Sequence, residues 1–276
     1  MTQQTTSSIV PGNVSSTKVA VITGASSGIG EAVAAKLLKQ GYIVYNLSRR
    51  ANNTVLNIQC DVSQPEQIYA AIKQIAEEQG HIDLVVSNAG YGIAGSIEAA
   101  VSADLDRQLD VNLHGAIHLA KAVLPYLRKS CGRIIIVSSV AGAVPIPFQT
   151  AYSVSKAGLI ALTLGLANEL RGTGANAVAI LPGDVSTGFT AARKPVDLSA
   201  EPLCYRERCA ASLKRMENDE LHGKPAEHIA AAIVKAAAVN HPKPLYPVDI
   251  SYKAAVLLFR FLPIRLANYI VGKLYA

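Results

Sequence analysis

Val19-Ala20-Val21-Ile22-Thr23-Gly24-Ala25-Ser26-Ser27-Gly28-Ile29-Gly30 is the stretch that decides the fold. It opens with a short apolar run of the kind buried on both faces of a parallel sheet. The glycines follow at once. Glu31 to Gln40 then carries apolar residues at helical spacing and stops at Gly41. Strand, glycine turn and helix in that order make a dinucleotide-binding unit. Side chains in such a turn would hold a pyrophosphate away, whereas bare backbone lets it approach the free amides of a helix N-terminus. Gly24, Ser26, Ser27, Gly28, Ile29 and Gly30 are therefore candidate cofactor contacts. Their spacing, Gly-x-x-x-Gly-x-Gly, differs from the commoner Gly-x-Gly-x-x-Gly, so the flanking strand and helix carry the reading.

Downstream, Tyr42 to Leu47 reads as a second strand and ends in Ser48-Arg49-Arg50, where a fold of this kind meets the adenosine ribose. A carboxylate there would bind both ribose hydroxyls and repel a 2′-phosphate. A guanidinium matches phosphate with two parallel hydrogen bonds, so Ser48, Arg49 and Arg50 predict NADP(H) over NAD(H). The competing reading is two arginines merely exposed at a strand end. Asn57 to Val62 reads as a strand that delivers Asp61 and Val62 to the cofactor, with Asp61 facing the adenine amino group. A helix over Pro65 to Gln79 leads to a strand from Ile82 that ends in Asn88-Ala89-Gly90, placed to wall the adenosine and pyrophosphate.

Composition sets the bounds. The chain has 276 residues, 50% hydrophobic and 17% charged, enough for one large core and a single domain. A net charge of +6 and a pI near 9.1 come without an aromatic-interleaved basic stripe, which argues against nucleic acid. A phosphorylated cofactor is a sufficient anionic ligand. Cys60, Cys131, Cys204 and Cys209 show no metal spacing, and they read as free thiols of a cytoplasmic protein. Residues 1–17 are polar, lack the features of a leader peptide and are expected to form a disordered tail. No run reaches 18 uninterrupted apolar residues, so no segment must span a bilayer.

A second constellation lies at Tyr152-Ser153-Val154-Ser155-Lys156. On a helix, residues four apart share a face. A lysine beside a tyrosine favours the phenolate and moves its pKa from about 10 toward the working range. Upstream, the apolar run Arg133 to Val137 ends in Ser138-Ser139, which brings a hydroxyl to the active end of a sheet. Within a long helical stretch, Ala103 to Lys129, Asn112 stands among apolar neighbours. By itself it reads as a satisfied core amide.

Thr23 to Gly30, Asn88-Ala89-Gly90, Ser139 and Tyr152 with Lys156 together resemble the short-chain dehydrogenase/reductase family, over about Lys18 to Thr190. The resemblance implies a doubly wound α/β Rossmann domain with a mostly parallel sheet of about seven strands. It implies that Asn112, Ser139, Tyr152 and Lys156 form a catalytic set. Tyr152 would be the general acid or base, Ser139 would polarise the substrate oxygen, and Asn112 would hold a relay water near Lys156. Lys156 would lower the tyrosine pKa and bind the nicotinamide ribose. Pro182, Gly183, Val185 and Thr187 resemble the family's cover over the nicotinamide, with the role of Asp184 left open.

The domain is expected over 18–250, with a variable lid over 188–224 and an amphipathic extension over 251–276. That extension resembles the C-terminus of the 17β-hydroxysteroid-dehydrogenase-like branch and of lipid-ketone reductases. Three roles compete for 254–274: a flap over an apolar pocket, a peripheral membrane contact, or plain core packing. The expected activity is hydride transfer between NADP(H) and a hydrophobic ketone or secondary alcohol, such as a steroid or long-chain keto lipid, in a homodimer or homotetramer. The alternatives are a 3-oxoacyl-carrier-protein reductase and, from another class, a non-catalytic dinucleotide-binding regulator.

Overall fold

Alternation along the central strands sorts their side chains into two apolar layers, one on each face of a sheet. In the first strand Val19 and Val21 join one layer while Ala20 and Ile22 join the other. Ile134 and Ile136 repeat this against Ile135 and Val137. Strands buried on both faces need helices on both sides, and they need parallel neighbours joined by crossovers.

The computed structural model describes residues 17–189, 193 and 196–275; the expected disordered tail, apart from Thr17, and part of the 188–224 lid lie outside them. The strands are β1 Val19–Thr23, β2 Ile43–Ser48, β3 Leu56–Gln59, β4 Leu84–Ser87, β5 Arg133–Val137 and β6 Asn176–Leu181. A small ladder pairs β7 Val185–Ser186 with β8 Lys224–Pro225, and β9 Leu245–Pro247 closes the main sheet. The order is β3-β2-β1-β4-β5-β6-β9, with every neighbouring pair parallel. The order reverses between β1 and β4, and ligands of such sheets lie outside the carboxyl ends of the strands at that point.

Helices α1 Gly28–Lys39 and, late in the chain, α7 Ala226–Ala238 cover one face; α2 Pro65–Gln79, α4 Gly115–Ser130 and α5 Thr150–Glu169 cover the other. The helix expected from Glu31 begins three residues earlier, because Ser27 to Gly30 already form its first turn, with Glu31 N–H bonded to Ser27 O. The strand expected to reach Val62 ends at Gln59: Asp61 turns away to accept the Ser63 amide and hydroxyl. The long helix expected over 103–129 is α3 Ser102–Leu109 and α4 joined by a π-turn, Asp110–His114. α6 Leu203–Leu221 occupies the lid region. The last 26 described residues form α8 Ile250–Phe261 and α9 Ile264–Tyr275, separated where Leu262 precedes Pro263 and is pushed out of the helical region. α5 is long and apolar enough to cross a membrane, yet it lies against the sheet, tied to it by Ser138.

Candidate active site

A cavity of about 880 Å³ opens along the carboxyl ends of the strands, from Arg49 and Asp61 after β2 and β3 to Ser139, Tyr152 and Tyr252 around β5 and β6. At its centre the glycine turn takes shapes that only glycine adopts freely: Gly24 has φ +71° and Gly28 φ +59°. A Cβ on Gly30 would stand 2.4 Å from Gly24 O and 2.7 Å from Asn88 Nδ2, so this glycine lets α1 press onto the turn. Ser27, the residue capping α1, makes no side-chain capping bond, which leaves the first amides of the helix facing the cavity. This glycine cradle at an uncapped helix N-terminus fits a pyrophosphate.

The turn is held from below by amides that the sequence reading missed. Buried Asn46 accepts the Ala25 N–H at 2.9 Å, and buried Asn52 donates to Ala25 O at 2.7 Å. Asn57 accepts from both Asn46 Nδ2 and Asn52 N. The only signal for this network was a run of asparagines around a strand end, which by itself reads as turn chemistry. Asn88 is equally committed: its Nδ2 donates to the carbonyls of Thr23 and Gly24, while Thr23 Oγ1 accepts the amides of Asn88 and Ala89. Asn88 and Ala89 thus shape the wall by bracing β1 against β4.

At the end expected to hold the adenosine, Ser48 Oγ donates to Arg50 O and accepts from Asn46 Nδ2. Arg50 reaches Ser27 Oγ at 3.4 Å, and Arg49 is exposed on the cavity wall. Asp61 lines the same end, with one oxygen taken by Ser63 and the other 3.9 Å from Arg107. Burial works to raise its carboxyl, but the Ser63 bonds and the charges of Arg49 and Arg107 bring it below its ordinary value. Val62 also lines the cavity, and its carbonyl lies where a Cβ on Gly115 would come within 2.7 Å.

The four expected catalytic residues converge at the other end. α5 begins at Thr150, so Tyr152 stands in its first turn and Lys156 one turn on. Ser138 turns inward and donates to Lys156 O at 2.7 Å, which leaves Ser139 facing the cavity that Tyr152 also lines, where it caps a short helical turn. Lys156 is buried and donates to Val137 O at 2.9 Å, with Nζ 5.6 Å from the centre of the Tyr152 ring. Asn112 lies in the π-turn, where Oδ1 accepts Tyr91 N–H and Nδ2 donates to Tyr91 O and Ser155 Oγ. Gly90 sits against this group, since a Cβ there would stand 3.1 Å from Asn112 Oδ1 and 3.6 Å from Lys156 Nζ.

One expectation needs correcting. The Tyr152 hydroxyl is not brought toward neutrality in the protein alone: burial pushes it up to about 12, against the lowering pull of the Ser139 bond, with Glu220 and Asp184 adding to the rise and Arg193 opposing it. Lys156 is itself pulled down to about 8 by burial. Burial is the largest cause of the shift in each group.

The far wall joins the segment expected to cover the nicotinamide, Pro182 to Thr187, to α8 and α9, for which the sequence left a flap as one of three roles. Tyr252 of α8 donates to Asp184 Oδ2 at 2.5 Å and accepts the Asp184 N–H at 3.1 Å. This accounts for Gly183, where a Cβ would lie 1.9 Å from the Tyr252 ring. Burial raises the Asp184 carboxyl, and the Tyr252 bond only partly offsets that. Tyr275 of α9 also reaches the cavity, and the Phe189 ring lies 5.7 Å from that of Tyr152. Pro182 O accepts Val140 N–H, Val185 pairs with Lys224, and Thr187 lies over Gly28, 3.7 Å from where its Cβ would be.

Comparison with known proteins agrees with this fold. A family model described as short chain dehydrogenase matches residues 18–197. A 3-ketodihydrosphingosine reductase of Bacteroides thetaiotaomicron is 36% identical over 229 residues, 82% of this chain and 85% of that protein. Among solved structures, a short-chain dehydrogenase from Streptomyces avermitilis superposes with a TM-score of 0.81 at 24% identity, over 94% of this chain and 98% of that one. Another from Burkholderia phymatum, in complex with NAD, gives 0.76 at 26% identity over 88% and 93%.

Proposed function

Because the chain belongs to the short-chain dehydrogenase family, we propose that this oxidoreductase uses NADP(H) to reduce the ketone of a long-chain, apolar keto lipid. The observation that carries the reading is the convergence of Ser139, Tyr152 and Lys156 in the cavity that begins at the glycine cradle. When bound, the nicotinamide supplies the hydride for reduction or takes it in the reverse direction.

The chain's own residues handle the oxygen and its proton. Ser139 donates to the substrate oxygen and stabilises the charge that develops there. Tyr152, whose hydroxyl holds its proton well above neutrality, gives that proton to the developing alkoxide as general acid. A positive charge arriving with an oxidised cofactor would pull the phenol back down for the reverse reaction. Lys156 titrates near neutrality, so it can return a proton to Tyr152 while its ammonium binds the nicotinamide ribose. Asn112 Nδ2 is committed to Tyr91 and Ser155, while Oδ1 accepts only the Tyr91 N–H and keeps a lone pair for a relay water near Lys156.

The choice of NADP(H) rests on Ser48, Arg49 and Arg50: Arg49 is exposed on the cavity wall, and its guanidinium would pair with a 2′-phosphate. The choice of an apolar lipid rests on Ile146, Phe189, Tyr252 and Tyr275 around the catalytic end, and on the activity named for the Bacteroides relative. A steroid ketone fits the same wall. A 3-oxoacyl thioester of a carrier protein fits it less well, since α8 and α9 contribute to it.

NADPH oxidation against long-chain 3-keto amines, steroid ketones and 3-oxoacyl thioesters, with NADH in parallel, tests the reading. Turnover of the long-chain ketone selectively with NADPH is expected. Tight NADPH binding with no turnover of any ketone would instead favour a dinucleotide-binding regulator.

A further inference from the structure

α8 and α9 turn one face inward and leave a second apolar face uncovered. In α8, Tyr252, Val256 and Phe259 are partly buried against the protein, whereas Ile250 is 84% exposed, Leu257 57%, Leu258 58% and Phe261 76%. The exposed set recurs at helical spacing and forms one stripe, with Lys253 and Arg260 along its flank. α9 repeats the arrangement. Ala267 and Val271 are buried, while Leu266, Tyr269 and Ile270 are exposed beside Arg265 and Lys273. Lys273 lies 5.8 Å from the centre of the Tyr269 ring.

Across 250–275 the charged side chains are Lys253, Arg260, Arg265 and Lys273, and there is no carboxylate. Two occupants suit an exposed apolar stripe: a second copy of this chain or a lipid surface. A two-fold contact between copies would set this basic fringe against itself with no acid in the segment to answer it. An anionic bilayer answers both features at once, with apolar side chains entering the acyl boundary and cations meeting the headgroups. The same two helices supply Tyr252 and Tyr275 to the cavity wall, so the surface that would meet lipid adjoins the substrate chamber.

We propose that α8 and α9 form a monotopic docking surface for an anionic membrane and hold the cavity at the interface. The inference stands apart from the catalytic reading, because vesicle binding can be measured without turnover.

The test is flotation of the full chain with vesicles of phosphatidylcholine alone or with a third phosphatidylglycerol. The variants are L257S/F261S and R260E/R265E, and each is also run by sedimentation velocity without lipid. All four positions are exposed, so both variants should keep the fold, which circular dichroism checks. Binding to the anionic vesicles, at least about tenfold weaker on phosphatidylcholine alone and at least about tenfold weaker in either variant, is the expected result. Absence of vesicle binding by the unmodified chain would overturn the proposal, as would binding that neither variant weakens. A dimer dissociated by L257S/F261S, together with failure to bind vesicles, would overturn it in favour of a second copy.

Discussion

Replacing Lys156 by Met isolates what burial costs this site. The ammonium is 5% exposed, and burial pulls it from 10.5 down to about 8. Between those values the unfolded chain binds more protons than the folded one, so the stability contributed at this position rises with pH from about 8 to about 10.5. Below pH 8 the whole penalty is present, about 3 kcal/mol at about 1.36 kcal/mol for each pH unit. Met fills a similar channel without charge and gives up the bond to Val137 O, a loss of about 1–3 kcal/mol at every pH. The two proteins should therefore be close in stability at pH 7. By pH 10 the unmodified protein should gain about 2–3 kcal/mol on the variant. Urea unfolding followed by circular dichroism at pH 7, 8.5 and 10 measures this, and the other titrating groups cancel in the difference. Parallel stability curves for the two proteins would refute a buried, partly deprotonated Lys156.

Tyr152→Phe should lower kcat by about 10²–10⁴ while NADPH affinity, followed by fluorescence titration, stays within a few fold; loss of cofactor binding would point to a structural role instead. Arg49→Ala should raise KM for NADPH about 10- to 100-fold, the loss of a charge-assisted pair, and leave KM for NADH nearly unchanged. Equal effects on the two cofactors would remove the 2′-phosphate assignment. Gly183→Ala puts a methyl group into the Tyr252 ring and should cost about 1–3 kcal/mol or more by urea unfolding. In a Tyr252→Ala background the same Gly183→Ala change should cost far less, and an undiminished cost there would show that the ring is not what excludes a side chain. Tyr252→Phe should cost about 1–3 kcal/mol by leaving the half-buried Asp184 without its donor.

The glycine turn, the strand before it and the helix after it were legible because they are local: a run of residues 19–30 contains both the pattern and its physical reason. The same holds for Tyr152 and Lys156, which one helix turn brings together. The interruption at Asn112 was harder, because a π-turn leaves the apolar spacing of its helix almost intact. The Asn46, Asn52 and Asn57 bonds beneath the turn join segments whose hydrogen bonds sequence spacing does not encode.

The ionisation of the site was least legible of all. Sequence puts an ammonium near a phenol, and Coulomb attraction alone moves the phenol down. How deeply both are buried depends on contacts from distant segments, Val137 on Lys156 and Phe189 on Tyr152, and that burial raises the phenol instead. Asp184 was anonymous until Tyr252, 68 residues away, closed on it. The sequence by itself thus determined the Rossmann sheet and the cradle, and it named the Tyr152 and Lys156 pair proposed to react, since periodicity and local spacing encode them. Only the tertiary structure decided which residues roof the cavity and how tightly the Tyr152 phenol holds its proton, because both depend on contacts between segments far apart in the chain and on the water those contacts exclude.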